Sequence, residues 1–195
     1  MAATAIPGYR MGDPTLPAPA TSQEELAKIE AALLLTEDDK AALREAKAIL
    51  APRVEELLDV WYGFVGSHDF LLGYFVTPAG PDGNYLARVR ARFGQWVLDT
   101  CEADFGPAWV AYAEEVGRRH AAEKNATDGV VGAPEVVHFR YVVALTYPIY
   151  ATVRPFLEAG ARDAAHLERM HQAWLKAVLL NVVLWSRAYV QDGWF

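Results

Sequence analysis

The sequence has a single cysteine, no long uninterrupted apolar run and no excess of positive charge. Cys101 cannot form an internal disulfide, which is typical of a reducing compartment. A net charge of −7 gives no basic surface for nucleic-acid phosphates. The longest apolar run, Ala177 to Trp185, is interrupted by Asn181 and is too short to span a bilayer. The first residues lack the positively charged start and following apolar run of a signal peptide. We therefore expect a cytoplasmic protein that binds neither nucleic acid nor membrane.

Motifs of several enzyme classes are also absent. The chain has no GxGxxG, GxxxxGK[ST], GxSxG or HExxH motif, which leaves nucleotide, serine-hydrolase and zincin chemistry without support. His166 and His171 lie five residues apart on one predicted helix and so on different faces, which does not favour a shared metal. The adjacent acidic pairs, such as Glu114–Glu115, are expected to be solvated.

What the chain has in abundance is hydrophobic and aromatic side chains, 53% and 12% of its 195 residues, enough for one large core. Spacing and capping residues predict helices and no strands. Four prolines prevent a long helix in residues 1–21, which we predict to be an ordered arm ahead of one domain, residues 22–195. The predicted helices are Ser22–Leu34, Thr36–Leu50, Pro52–Ser67, Asn84–Cys101, Gly106–Lys124, Glu135–Glu158 with a kink at Pro148, and Asp163–Tyr189, with one further turn at Phe70–Phe75.

One histidine lies at the end of an apolar helical stripe. Trp109, Tyr112, Val116 and His120 fall at positions i, i+3, i+7 and i+11. His120 should therefore point inward, as an axial ligand to a metal or haem, or as a core histidine bonded to a backbone carbonyl. Periodicity alone leaves both interpretations open, and the second is the commoner. The opposite face is expected to be solvated and carries Glu114, Glu115, Arg118 and Lys124.

A tyrosine and a cluster of arginines could also face a ligand. Trp61 and Tyr62 place two rings in the interior within one helical turn. A buried phenol needs a partner, either in the protein or in a bound ligand. Arg92, with its neighbours Arg88 and Arg90, is expected on a solvated face, although one such guanidinium could neutralise an acidic cofactor edge.

Six segments, taken together, are distinctive in order and spacing: IPGY at 6–9, EELLDVWYGFVGSH at 55–68, YLARVRARFGQWVLDT at 85–100, VGRRH at 116–120, RYVVALTYPIYATVRPFL at 140–157 and QAWLKAVLLNVVLWS at 172–186. They resemble the protoglobin family, and the likeness extends over essentially the whole chain. A more distant likeness is to the haem domain of globin-coupled sensors.

The resemblance implies an all-α, three-over-three globin fold with an extra N-terminal arm and helix. It implies one haem b per chain, and the absence of CxxCH indicates non-covalent attachment. His120 would be the proximal iron ligand, with Arg92 reaching a propionate. The distal side would consist of Trp61, Tyr62 and Phe93, and the pocket or its tunnels would be lined by Phe75, Val89, Leu145 and Ile149.

This chain departs from the family at two of these positions. Other members have two successive histidines where this chain has His120 and Ala121, so only one can serve as ligand here. Members also often carry phenylalanine where this chain has Leu145, which changes the expected shape of the tunnel.

The function implied by the resemblance is reversible binding of O₂, CO or NO at a His-ligated haem iron, for gas sensing or scavenging, in a homodimer built on the last two long helices. A haem-dependent redox or carbene-transfer activity at the same site is one alternative, which leaves open whether the protein is an enzyme. A haem-free helical interaction module is an alternative of a different class.

Overall fold

The computed structural model describes residues 5–191 and 193–195; the first four residues of the predicted arm and residue 192 lie outside the described residues. The described part is mostly helical, and the all-α prediction is confirmed. Its helices are α1 (Gln23–Ala32), α2 (Glu37–Leu50), α3 (Val54–Gly66), α4 (Asp69–Leu72), α5 (Gly83–Glu102), α6 (Pro107–His120), α7 (Phe139–Ala144), α8 (Thr146–Gly160) and α9 (Ala164–Ser186). Two 3-10 turns, Ala51–Arg53 and Gly73–Phe75, lie between them.

Polar side chains start the helices where the sequence predicted. Thr36 and Asp39 form a full capping box at α2. At α1 the Ser22 hydroxyl accepts from the Glu25 amide, which is the only half of a Ser22–Glu25 capping box present among the described contacts.

The prediction of one kinked helix over Glu135–Glu158 is wrong, because the structure has two helices there. The chain becomes helical only at Phe139, and a break at Leu145 separates α7 from α8. Pro148 explains the break, because it has no N–H for the carbonyl of Ala144, the last residue of α7. Pro148 instead occupies the first turn of α8, where no such bond is needed.

The expectation of no strands is also wrong, on a small scale. Val76–Thr77 (β1) pairs antiparallel with Gly80–Pro81 (β2), forming a two-residue hairpin just before α5. The pairing is too short for side-chain alternation to reveal it in the sequence.

Helix α9 is the centre of the core and packs against α2, α5, α6 and α8. Its buried residues include Met170, Trp174, Leu180 and Leu184. Neighbouring helices of the same chain cover most of its apolar surface. Of the helices described, none has both the length and the apolar character needed to cross a bilayer.

The face of α6 that was expected to be solvated is buried. Glu114 and Glu115 are each only 6% exposed, and Lys124, just beyond the helix, is 7% exposed. Residues 5–21, here called the arm, cover this face: the Glu114 carboxylate accepts from the backbone amides of Ala20 and Thr21 at 2.9 and 2.8 Å. The prediction fails because helical periodicity cannot show that another segment satisfies a polar face.

Candidate functional site

The structure brings all nine predicted site residues to one internal cavity. The cavity lies among α3, α5, α6, α8 and α9, has a volume of about 230 Å³, and is lined mainly by aromatic and aliphatic side chains. This fixes where the residues lie, while their roles stay predictions. The nine are Trp61, Tyr62, Phe75, Val89, Arg92, Phe93, His120, Leu145 and Ile149.

His120 is the last residue of α6 and reaches the cavity as a neutral imidazole. Its Nδ1 lies 2.8 Å from the Val116 carbonyl oxygen. Because a carbonyl can only accept, Nδ1 carries the proton and Nε2 keeps its lone pair. Burial lowers the pKa of the imidazole, which favours the neutral form. Among the described residues Nε2 has no hydrogen-bond partner, so it is available to a ligand in the cavity.

A close approach of α6 to α9 sets the plane of this imidazole. The His120 ring stacks on Trp185 with centroids 4.9 Å apart and planes inclined by 20°. A Cβ at Gly117 would lie 2.8 Å from the Cα of Trp185, so only glycine permits this approach. The indole N–H of Trp185 is buried and has no partner in the part of the chain that the structure describes.

Three aromatic side chains from α3 and α5 also line the cavity. Phe93 lies 5.6 Å from Trp61 and 6.4 Å from Tyr62, measured between ring centroids. Burial raises the pKa of Tyr62, which keeps the phenol protonated. The described residues offer its hydroxyl no hydrogen bond. The described residues therefore supply no protein partner for this phenol, which leaves a bound ligand as the other possibility.

Arg92 lines the cavity, but its guanidinium is already engaged. It donates to both carboxylate oxygens of Asp128, at 3.1 and 2.5 Å, and to the Pro7 carbonyl of the arm at 2.8 Å. The predicted solvated arginine is therefore part of the contact between α5, the arm and the loop after α6. Its predicted bond to a propionate stays untested, and a propionate there would share the guanidinium with Asp128.

Sequence reasoning missed several polar residues of the cavity. Lys124 and Arg119 both line it, together with Tyr74 and Tyr85. The stripe on α6 could not reveal Lys124, because the helix ends at His120 and the chain then turns back on itself through residues 121–129. Beyond that point helical periodicity no longer describes which side chains face inward.

An all-α fold around a ring-lined cavity that one neutral histidine reaches is the architecture of a globin. The chain matches the protoglobin family over residues 22–194, and it belongs to that family, which is one of haem globins. It is also similar to the globin domain of the Geobacter sulfurreducens globin-coupled sensor. That match has a TM-score of 0.61 at 14% identity and covers 85% of this chain and 97% of that one, so it supports the fold. No curated protein sequence matches the chain.

The residues present suit a haem in their chemistry. The walls are apolar, a neutral imidazole offers Nε2, and no cluster of three or more His, Cys, Asp or Glu in the described chain could hold a bare metal ion. The volume of about 230 Å³ is below the ~300–1,000 Å³ of ordinary small-molecule pockets. Side chains of the wall must therefore move apart to admit a macrocycle.

Proposed function

We propose that this protein binds haem b non-covalently through His120 and uses it to bind O₂, CO or NO reversibly. The observation that carries the proposal is the state of His120: a partly buried, neutral imidazole whose Nδ1 is held by a backbone carbonyl and whose Nε2 has a lone pair and no partner among the described residues. This arrangement is the usual one for a histidine metal ligand, in which a second-shell acceptor fixes the tautomer and the ring.

The proposed roles of the other residues follow from their chemistry. When bound, ferrous haem would supply the gas-binding chemistry. Trp61, Phe93 and Val89 present apolar surface that excludes water from this part of the cavity. Tyr62 donates a hydrogen bond to the gas, since its hydroxyl is protonated and has no acceptor among the described protein groups.

Reconstitution tests the proposal directly. Apoprotein titrated with ferric protoporphyrin IX should take up one equivalent per chain and give a Soret band that shifts after reduction and addition of CO. Failure to bind haem after titration would contradict the proposal and favour the helical interaction module.

We also propose a homodimer through α7, α8 and α9. The exposed apolar side chains of Tyr147 (72% exposed) and Val143 (48%) at the start of this surface support it. Tyr147→Glu should convert a dimer to a monomer in light scattering at micromolar concentration. Val131→Glu, in the loop before α7 and 85% exposed, is the matched control and should change nothing. A wild-type monomer at that concentration would contradict the proposal.

A further inference from the structure

Three basic side chains line the cavity, and they differ in their counter-charges. Arg92 is paired with Asp128, with N–O distances down to 2.5 Å. Arg119 is paired with Glu115 at 3.0 Å. Lys124 has no carboxylate within 4 Å among the described residues, although it is the most buried of the three. The charge of Asp128 is itself shared, because Arg88 also approaches it at 3.7 Å.

The Lys124 ammonium is held in place but not neutralised. Its Nζ donates to the Tyr74 carbonyl at 2.8 Å and to the Asn125 amide oxygen at 3.1 Å, and it lies 5.7 Å from the centre of the Tyr85 ring. An ammonium has three donors, so one of them is left over. Burial lowers the pKa of Lys124 to about 8, a sign that the charged form is poorly solvated here.

Buried charges in proteins are usually paired, because an isolated one costs free energy. A buried ammonium with a spare donor beside an apolar cavity is therefore matched to an anion that arrives with the cavity's occupant. Of the ligand chemistries that bring an anion into an apolar pocket, the tetrapyrrole proposed above carries two carboxylates on an otherwise apolar ring.

We propose that Lys124 is the carboxylate subsite of this cavity and binds one propionate of the haem, in place of the Arg92 suggested by the sequence. The inference rests on the proposed haem function and deepens it. The charge of Arg92 is already paired with that of Asp128, whereas Lys124 has a donor to spare and no carboxylate partner among the described residues. The competing explanation is that Lys124 only ties the Tyr74 carbonyl to the turn at residues 121–129.

Comparing haem with its dimethyl ester separates these explanations, because the ester has the same ring without the negative charges. Affinities of apoprotein for the two ligands, each added from dimethyl sulfoxide, are measured by fluorescence quenching for wild type, Lys124→Met and Lys124→Arg. A hydrogen bond between charged groups is worth about tenfold or more in affinity. Lys124→Met should therefore reduce the preference for the diacid by about tenfold, with affinity for the ester nearly unchanged. Lys124→Arg, which keeps the charge, should retain most of the preference.

Lys40→Met is the control. Lys40 also has a largely shielded side chain, and it is paired with Glu30 and Glu37 away from the cavity. Its replacement should leave the preference for haem over the dimethyl ester unchanged. A wild type that binds acid and ester equally would overturn the inference without any variant. If folded Lys124→Met lost affinity for both ligands equally, the inference would also be overturned. Lys124 would then only tie the Tyr74 carbonyl to the turn at residues 121–129. If wild type binds neither ligand, the proposed haem function fails first.

Discussion

Two regions of this molecule hold a histidine stacked on an aromatic ring, one partly buried and one fully buried. At the cavity, His120 stacks on a tryptophan and uses only Nδ1. At the α8–α9 seam, formed where Tyr150 meets His171, the rings stack with centroids 3.7 Å apart and planes 12° apart. There, Nε2 of His171 donates to the Tyr150 carbonyl at 2.9 Å, and Nδ1 accepts from Arg154 at 3.1 Å. Burial lowers the pKa of both histidines, so both are neutral.

The difference shows what distinguishes a potential ligand from a core histidine. Burial, stacking and a bond to a backbone carbonyl are common to both. Only His120 keeps a nitrogen lone pair without a partner among the described residues, and only His120 lines a cavity that can hold a ligand. At the seam His171 is the opposite tautomer, and both of its ring nitrogens are used in hydrogen bonds within the protein.

The largest expected difference between the two regions is the effect on haem binding of replacing each histidine by alanine. Loss of partners around a metal ligand commonly weakens metal binding by ~10–100-fold, so loss of the ligand itself in His120→Ala should weaken haem binding by more than about a hundredfold. Folded His171→Ala should bind haem as wild type does, although it should be less stable. Haem retained through gel filtration measures both. Full retention in His120→Ala, with an unchanged five-coordinate ferrous spectrum, would mean that another residue is the ligand.

The phenols of the two regions provide the next test. A hydrogen bond to a charged acceptor contributes about 1.5–3 kcal/mol, against about 0.5–1.5 for a neutral one. Because O₂ draws more negative charge from ferrous haem than CO does, Tyr62→Phe should speed O₂ release by about ten- to a hundredfold, with much less effect on CO. Tyr150→Phe, at the seam, should change neither rate. Stopped-flow release of both gases measures this, and equal acceleration of O₂ and CO in Tyr62→Phe would exclude a hydrogen bond to O₂.

The approach of α6 to α9 should be sensitive to a single methyl group. Gly117→Ala places a Cβ against the backbone of Trp185, which cannot move aside as a side chain could, so we expect a loss of about 1–3 kcal/mol in unfolding free energy. Gly63→Ala on α3 has open space and should be stabilising by up to about 1 kcal/mol. Urea denaturation of the apoproteins compares them. Equal stabilities would mean that Gly117 is not needed to place the His120 ring.

The sequence was sufficient to predict the fold class, most helix boundaries and the cavity side of His120, because an apolar stripe reports which face of a helix is buried. It was not sufficient to predict the surroundings of Glu114 or Lys124. Both are polar residues that bond to segments distant in the sequence: the arm for Glu114, and the Tyr74 carbonyl for Lys124. Hydropathy treats such residues as solvated whether or not another part of the chain covers them.

The same limit explains why the two histidines could not be ranked from the sequence alone. Both His120 and His171 lie on helices that have an apolar face, and what separates them is a contact with Arg154 that no spacing on α9 reveals. The resemblance to the protoglobin family, not periodicity, favoured His120 as the ligand. The structure adds the tautomer and the unused nitrogen, which are the physical reasons that support that choice.

The smallest expected effect concerns space rather than bonding. Leu145 lines the cavity and is only partly buried, whereas Leu157, on α8 in the closed core, is fully buried. Leu145→Phe should therefore be accommodated with less than about 0.5 kcal/mol change in stability, while Leu157→Phe should cost about 1–3 kcal/mol by overpacking. In the haem-bound protein, the larger ring at position 145 narrows the cavity and should slow CO entry severalfold without altering the ferrous spectrum, since the iron ligand is unchanged. Flash photolysis of the CO complex and urea denaturation measure the two effects. An unchanged entry rate would show that Leu145 does not control access, and a large loss of stability would show that the cavity wall is packed as tightly as the core.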